Sequence, residues 1–268
     1  MFFFEVSMNI FFPKVKFEVS PMAQETRKIY SFCYPGIRKW DWSDRIYSVH
    51  PELKEKLSGV NNKKIFYSKC YAYIKHFKDS NKDGLEKSVQ KVQKRWDKVE
   101  RKYFKILSKH FEIDWPKNKK IIKAYVSVVP INPRHLDKWT FTVGYTASEQ
   151  RKIQTTVHEI LHFLYFEKWK EVFPESDRRM FDSPHLVWKL SEVLAPVIMN
   201  SNPDIQKIVK ENSPGYKEFQ GVKIGNKKLM KYFDDLYKKH LKSDDSFEDF
   251  LKKAWESVEK YKSVLEQI

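Results

Sequence analysis

The most regular apolar pattern lies in the first half of the chain. Leu85, Val89, Val92, Trp96, Val99, Tyr103 and Ile106 recur at alternating spacings of four and three. That rhythm lays one apolar stripe along a helix and leaves lysines on its outer faces. Asp83 and Glu86 stand ahead of it at the spacing of a capping box. The pattern predicts one long helix from Asp83 to Phe111, packed as core and ended by Trp115-Pro116.

Period-two alternation predicts strands elsewhere. Asn9 to Val19 alternates, with Pro13 marking an edge or a break. Ile121 to Pro130 is rich in β-branched residues, and Thr140 to Tyr145 alternates again. Tyr34 to Asp44 carries the proline, glycine and tryptophan of a loop, and Lys63 to Phe77 fits either strand or helix. Thr146 with Glu149 forms a second capping box, which opens a helix. Ser183-Pro184 reads as an N-cap with proline at the first helical position, opening a helix that ends near Asn200. Residues 202–268 read as two or three lysine-rich helices. The expected fold is α+β within a mostly helical protein. The expected regions are 1–116, 117–200 and 201–268, which one compact domain also accommodates.

Composition sharpens this only in places. The chain has 268 residues, 41% hydrophobic and 16% aromatic, enough for a real core, which excludes wholesale disorder. The formal net charge is +16, supplied mostly by lysine. It fits an anionic partner such as nucleic acid, or solvated helix faces, and the second reading is favoured. Cys33 and Cys70 form no disulfide framework, no CxxC and no zinc ribbon, which points to a reducing, cytoplasmic setting. The opening MFFFEVSMNIFF is broken by Glu5 and lacks a leading basic residue and a small-residue cleavage site. It does not read as a secretory signal, and Met8 is an alternative start. No apolar run approaches the roughly 18 residues of a membrane span.

The candidate chemistry sits in Gln150 to Phe166, QRKIQTTVHEILHFLYF. On a helix, His158 and His162 lie one turn and about 40° apart, so both imidazoles reach one side. Such a pair suits a tetrahedral Zn²⁺ with bonds near about 2.0–2.1 Å. Glu159 projects about 60° from His162 and can take a proton from a zinc-bound water. Ile153, Val157, Ile160 and Leu164 form this helix's core stripe. The histidines lie about 140–180° from Ile153, on a side that also carries Thr155, Tyr165 and Phe166 and reads as a cleft wall.

With these residues the sequence resembles the zincin metallopeptidases over about Ile121 to Asn200. The resemblance implies a zincin-like core, peptide-bond hydrolysis, and a strand bordering the cleft ahead of the active-site helix, where Thr140–Tyr145 stands. A peptide or protein substrate would lie along that strand. The metzincin pattern requires glycine at Tyr165 and histidine at Lys168, so that branch is excluded. The gluzincin pattern requires a glutamate on a later helix, and Glu192 provides one. Thermolysin-like enzymes place an aspartate four residues after that glutamate. Here the position is Pro196, so the partner that orients a ligand histidine must come from elsewhere. Pro196 is also expected to kink its helix at Glu192.

His185 is the rival third ligand. On one helix it shares a face with Glu192 but lies about 10.5 Å away along the axis, so only one of them reaches the metal. With Glu192 as ligand, His185 becomes a candidate to stabilise the oxyanion, alongside Tyr145 and Tyr165. With His185 as ligand, the chain resembles an SprT-like, DNA-associated protease. A further alternative is a basic nucleic-acid-binding protein with a structural or degenerate zinc site, which would need a fourth protein ligand, and no cysteine lies nearby.

Overall fold

Residues 11–35 and 42–268 are described by the structure, a computed structural model. Among these residues it is a mostly helical α+β protein with one small mixed sheet and one short hairpin. The readings of the first ten residues, including Met8 as a start, and most of the Tyr34–Asp44 loop lie outside the described residues. No helix among those described is long and apolar enough to cross a membrane. The chain folds as two compact units, each built from separated stretches: Lys14–Lys98 with Ile121–Thr156, and Val99–Lys120 with Val157–Ile268.

The first unit contains β1 (Lys14–Val19), α1 (Met22–Cys33), α2 (Ser43–Val49), α3 (Pro51–Leu57), α4 (Lys63–Ser80) and α5 (Lys82–Asp97). It also holds β2 (Ile121–Ser127), β3 (Arg134–His135) and β4 (Thr140–Gly144). The strand order is β1-β2-β4-β3, with the first three parallel and β3 antiparallel to β4. Burial follows position. On the edge strand β1, Lys14 and Lys16 are exposed while Val15 and Phe17 are buried; on the inner strand β4, Thr140 to Val143 are all buried. Gln93 of α5 covers the open edge of β1. Its side-chain oxygen accepts the Phe17 N–H at 2.9 Å and its amide donates to the Val15 carbonyl at 3.1 Å. That satisfies an edge that would otherwise invite another strand. β1 begins just after Pro13, where the proline's missing donor does no harm.

The ambiguous segment from Lys63 is a helix. The Asn62 side chain caps it by accepting from the Lys64 and Ile65 amides, and Phe66, Cys70 and Ile74 recur at fours on its buried face. Neither Cys33 nor Cys70 is in a disulfide, and burial pushes the Cys70 thiol up to about 12.

A polar cluster lies at the end of β2. The fully buried Glu25 accepts the Ser127 hydroxyl at 2.8 Å and the Val128 amide at 3.0 Å. The Lys28 ammonium donates to Ser127 Oγ at 2.7 Å and lies 3.5 Å from Glu25. Burial lowers the Lys28 pKa, and the Glu25 charge opposes that shift.

The predicted helix Asp83–Phe111 is in fact two, α5 and α6 (Glu100–Phe111), interrupted at Lys98–Val99, where one compact unit gives way to the other. The apolar stripe changes phase there. In α5 the buried residues are Leu85, Ser88, Val92 and Trp96; in α6 they are Glu100, Tyr103, Phe104, Leu107 and Phe111, while Val99 and Ile106 are only half-buried. One straight helix cannot present both faces to a core, so it breaks. No side chain caps α5, so the Asp83–Glu86 box does not form.

The second unit holds α6, α7 (Glu149–Val172) from Val157 onward, a 3-10 turn at Arg178–Phe181, α8 (Leu186–Ser201), α9 (Pro203–Val209) and α10 (Lys217–Gln220). A hairpin of β5 (Lys223–Ile224) and β6 (Lys227–Lys228) follows, then α11 (Leu229–His240), α12 (Phe247–Lys260) and α13 (Lys262–Leu265). The hairpin is an addition to the helices expected after residue 201. Gly225-Asn226 turns it, with Gly225 at φ 58°, a conformation glycine adopts without strain. Lysines on the last helices pair along their own exposed faces, as in Lys231–Asp235 at 2.6 Å, Lys238–Asp234 at 2.8 Å and Lys252–Glu248 at 2.6 Å. Between α6 and α11, His110 Nε2 lies 3.1 Å from the Tyr237 hydroxyl. Burial, reinforced by neighbouring His240, holds His110 down at about 3.

Candidate metal centre

α7 starts later than the sequence suggested. Ser148, not Thr146, caps it: its hydroxyl accepts the Arg151 amide at 3.1 Å and its carbonyl accepts that of Lys152 at 2.9 Å. Within the second unit, Tyr103 of α6 donates its hydroxyl to the Val157 carbonyl at 2.6 Å, one residue before the histidine pair. The expected single core stripe is there, with Ile153, Val157, Ile160 and Leu164 at 2% exposure or less. The opposite side, however, is no open cleft wall. Leu161, Phe163, Tyr165, Phe166 and Trp169 are buried as well, so the helix is enclosed all round from Glu159 to Phe166.

α8 supplies the third residue. Every residue from Val187 to Met199 is buried, Glu192 and Pro196 among them, and the helix runs through the proline to Ser201. A carboxylate in such an apolar helix is costly unless positive charge or hydrogen-bond donors meet it. Glu192 Oε2 lies 3.3 Å from His158 Nε2 and 3.5 Å from His162 Nε2, and the two Nε2 atoms are 3.1 Å apart. Among the described residues these three form the one group of metal-ligating side chains whose donor atoms converge. A tetrahedral ion with bonds near 2.0–2.1 Å requires ligand-to-ligand separations of about 3.3 Å, so the three donor atoms are spaced as a group that could hold one metal ion. His162 is fully buried and Glu192 nearly so, while 18% of the His158 side chain remains exposed, which puts the opening of the group at His158. Glu159, next in sequence to His158, is buried at 6% exposure.

The other candidates fall elsewhere. His185 is not within α8. It is the exposed N-cap residue, two positions later than the cap expected at Ser183, and it is outside the converging group. His185 and Glu192 are therefore not two positions within one helix, because α8 begins after His185. Tyr145 belongs to the first unit, at the end of β4, where its amide donates to the Ser127 carbonyl at 2.7 Å. Its phenol rests on Gly84, where a Cβ would stand 2.5 Å from the oxygen, and it faces an open cleft with Lys87, Lys91 and Lys152. Tyr165 is fully buried beside Phe111 and Trp169, its hydroxyl without a hydrogen-bond partner among the described residues. Burial holds that phenol well above its usual pKa, so it stays protonated. The segment Thr140–Tyr145, expected to border a cleft, forms an inner strand between β2 and β3; past Phe141 it pairs with β2 alone.

The sequence reading missed Tyr103, which holds α7 just ahead of the histidines, and Phe181, whose ring stacks on Phe166. Tyr103 stood out only as a member of the apolar stripe and Phe181 at no motif spacing, so no local signal tied either to the site. Comparison with protein-family models, curated proteins and solved structures finds no match to this chain.

Proposed function

We propose that this protein is a zinc metallopeptidase of the gluzincin type, with a zincin-like core, in which His158, His162 and Glu192 hold the ion. The observation that carries the reading is the triangle of 3.1, 3.3 and 3.5 Å between their donor atoms. Two imidazoles and one carboxylate are a donor set typical of catalytic zinc, and three protein ligands leave one tetrahedral position for water or substrate. When bound, zinc would supply Lewis acidity and make a water acidic enough to react near neutral pH.

The chain's own residues do the rest. Glu159 follows a ligand directly in the sequence, and its carboxylate is the base that would accept the proton of the attacking water. It then returns that proton to the leaving amine. The burial of Glu159, His162 and Glu192 excludes bulk water and strengthens every charge interaction among them. The peptide bond as substrate rests on the resemblance of the HExxH helix and downstream glutamate to zincins. No step is assigned to His185 or Tyr145.

Elemental analysis of the purified protein is expected to find about one zinc per chain, lost in His158→Ala. Glu159→Gln keeps the size of the side chain and removes the base. It should retain zinc while hydrolysis of a quenched-fluorescent peptide library falls by about 10²–10⁴-fold. Full zinc in His158→Ala, or undiminished hydrolysis in Glu159→Gln, would sink the reading.

A further inference from the structure

A metal-binding imidazole needs something to fix its ring, and ligand histidines usually gain this from a hydrogen-bonded partner. The position where a thermolysin-like pattern has its orienting aspartate is Pro196, which cannot serve. Beside His162 the structure holds a run of stacked rings. The His162 ring stacks on Phe166 with centroids 6.1 Å apart and planes 19° from parallel. Phe166 in turn stacks on Phe181, at 4.8 Å and 29°. The Arg178 guanidinium lies over the Phe181 ring, 5.9 Å from its centroid.

The position of Phe181 in the chain gives this run of rings its meaning. Phe166 is on the same helix as His162, four residues on, and such a contact comes with the helix. Phe181 comes from the 3-10 turn that joins α7 to α8, the two helices whose meeting brings Glu192 to the histidines. The turn is braced internally. Asp177 caps it through the Arg179 amide at 2.8 Å and pairs with the Arg179 guanidinium at 2.6 Å, and Arg178 pairs with Asp182 at 3.0 Å. Phe181 itself is 2% exposed. Those ion pairs are exposed and weak, so it is the burial of the ring that fixes Phe181 in place.

We infer that Phe181 is a positioning residue for the metal centre: through Phe166 it sets the plane of the His162 imidazole. The inference rests on the zinc reading and goes beyond it, because it gives an aromatic contact a part in orienting the imidazole. Leucine fills most of phenylalanine's volume but has no ring face, whereas tyrosine keeps the face. Phe250 of α12 is an equally buried phenylalanine that packs against His240 and Phe247, and Phe250→Leu serves as the packing control.

The test measures zinc affinity by competition with a chromophoric chelator, and the visible absorption of the cobalt-substituted protein, whose bands report ligand geometry. Phe181→Leu should bind zinc about 10–100-fold more weakly and alter the cobalt bands. Phe181→Tyr and Phe250→Leu should match the wild type in both. A Phe181→Leu protein with wild-type affinity and cobalt bands overturns the inference. So does a loss in Phe181→Tyr or in Phe250→Leu as large as that in Phe181→Leu, because general packing would then account for it. If the wild-type protein binds no zinc, the metallopeptidase reading fails first and this inference with it. The two failures are therefore distinguishable.

Discussion

Two buried polar clusters, one in each compact unit, handle charge differently. At the end of β2, Glu25 meets a lysine, a hydroxyl and a backbone amide within 2.8 to 3.5 Å, so the chain supplies its own cation. Between α7 and α8, two imidazole nitrogens and a carboxylate oxygen converge at 3.1 to 3.5 Å. The first cluster ties α1 to the sheet and is complete in itself. The second brings three donor atoms together at separations near those of a tetrahedral metal site. Burial of a carboxylate is common to both, so burial alone marks no site. The kind of partner and the shape of the group separate a structural cluster from one that can hold an ion.

The largest expected effect sharpens this contrast from the metal side. Glu192→Ala should weaken zinc binding by at least about 10–100-fold, since even residues behind the ligands cost that much. Lys28→Met should leave zinc affinity unchanged. Equilibrium dialysis of both variants checks the pair, and loss of zinc in the lysine variant would mean that the two clusters are not independent.

The structural side is read in stability. Lys28→Met leaves the Glu25 carboxylate buried without its ammonium, which is expected to destabilise the protein by about 3–5 kcal/mol. Replacing both, with Glu25→Gln added, should recover much of that, because no uncompensated charge remains. Denaturant titration measures each, and a single variant as stable as the wild type would refute the view of this cluster as a self-neutralised tie.

A smaller effect concerns acid, and its source lies outside both clusters. His110 is held at about 3 in the folded chain, far below an ordinary histidine near 6.5, by burial and by His240. Between those two values the unfolded chain binds the extra proton. Stability is thus fully present above about pH 6.5 and falls as the pH drops toward 3, at up to about 1.4 kcal/mol per pH unit. Thermal melts across this window should be flatter in His110→Gln. Identical slopes would assign the acid sensitivity to other groups.

The smallest expected effect is that of His185→Ala. An exposed N-cap side chain that makes no capping hydrogen bond should be dispensable, with zinc content and melting temperature unchanged. Loss of zinc here would break the comparison, since it would move the third ligand off α8's buried face.

Much was legible before folding was considered. The HExxH spacing put His158 and His162 on one side of a helix, because that placement depends only on the 3.6-residue turn. The β-branched run at Ile121 and the alternation at Thr140 yielded strands β2 and β4. Local arithmetic failed where competing local signals were weighed without their surroundings. Thr146 and Ser183 looked like caps, yet Ser148 and His185 hold those places, because tertiary packing decides which turn of a boundary closes. Gly225-Asn226 was a readable hairpin signal, passed over among lysine-rich helical patterns.

The sequence by itself determined the helix that carries the paired histidines, the acidic residue between them and the α+β class, since each follows from periods and side-chain chemistry within a few turns. It also made Glu192 a candidate, but left it in competition with His185. Only the tertiary structure separated them. His185 falls outside α8, whereas Glu192, 30 positions after His162, is carried to the imidazoles by the packing of two helices around a braced connector. The break at Lys98–Val99 was decided the same way. A stripe of apolar residues records that a face is buried, but not which neighbour buries it, so a shift from one core to another becomes visible only once both cores exist.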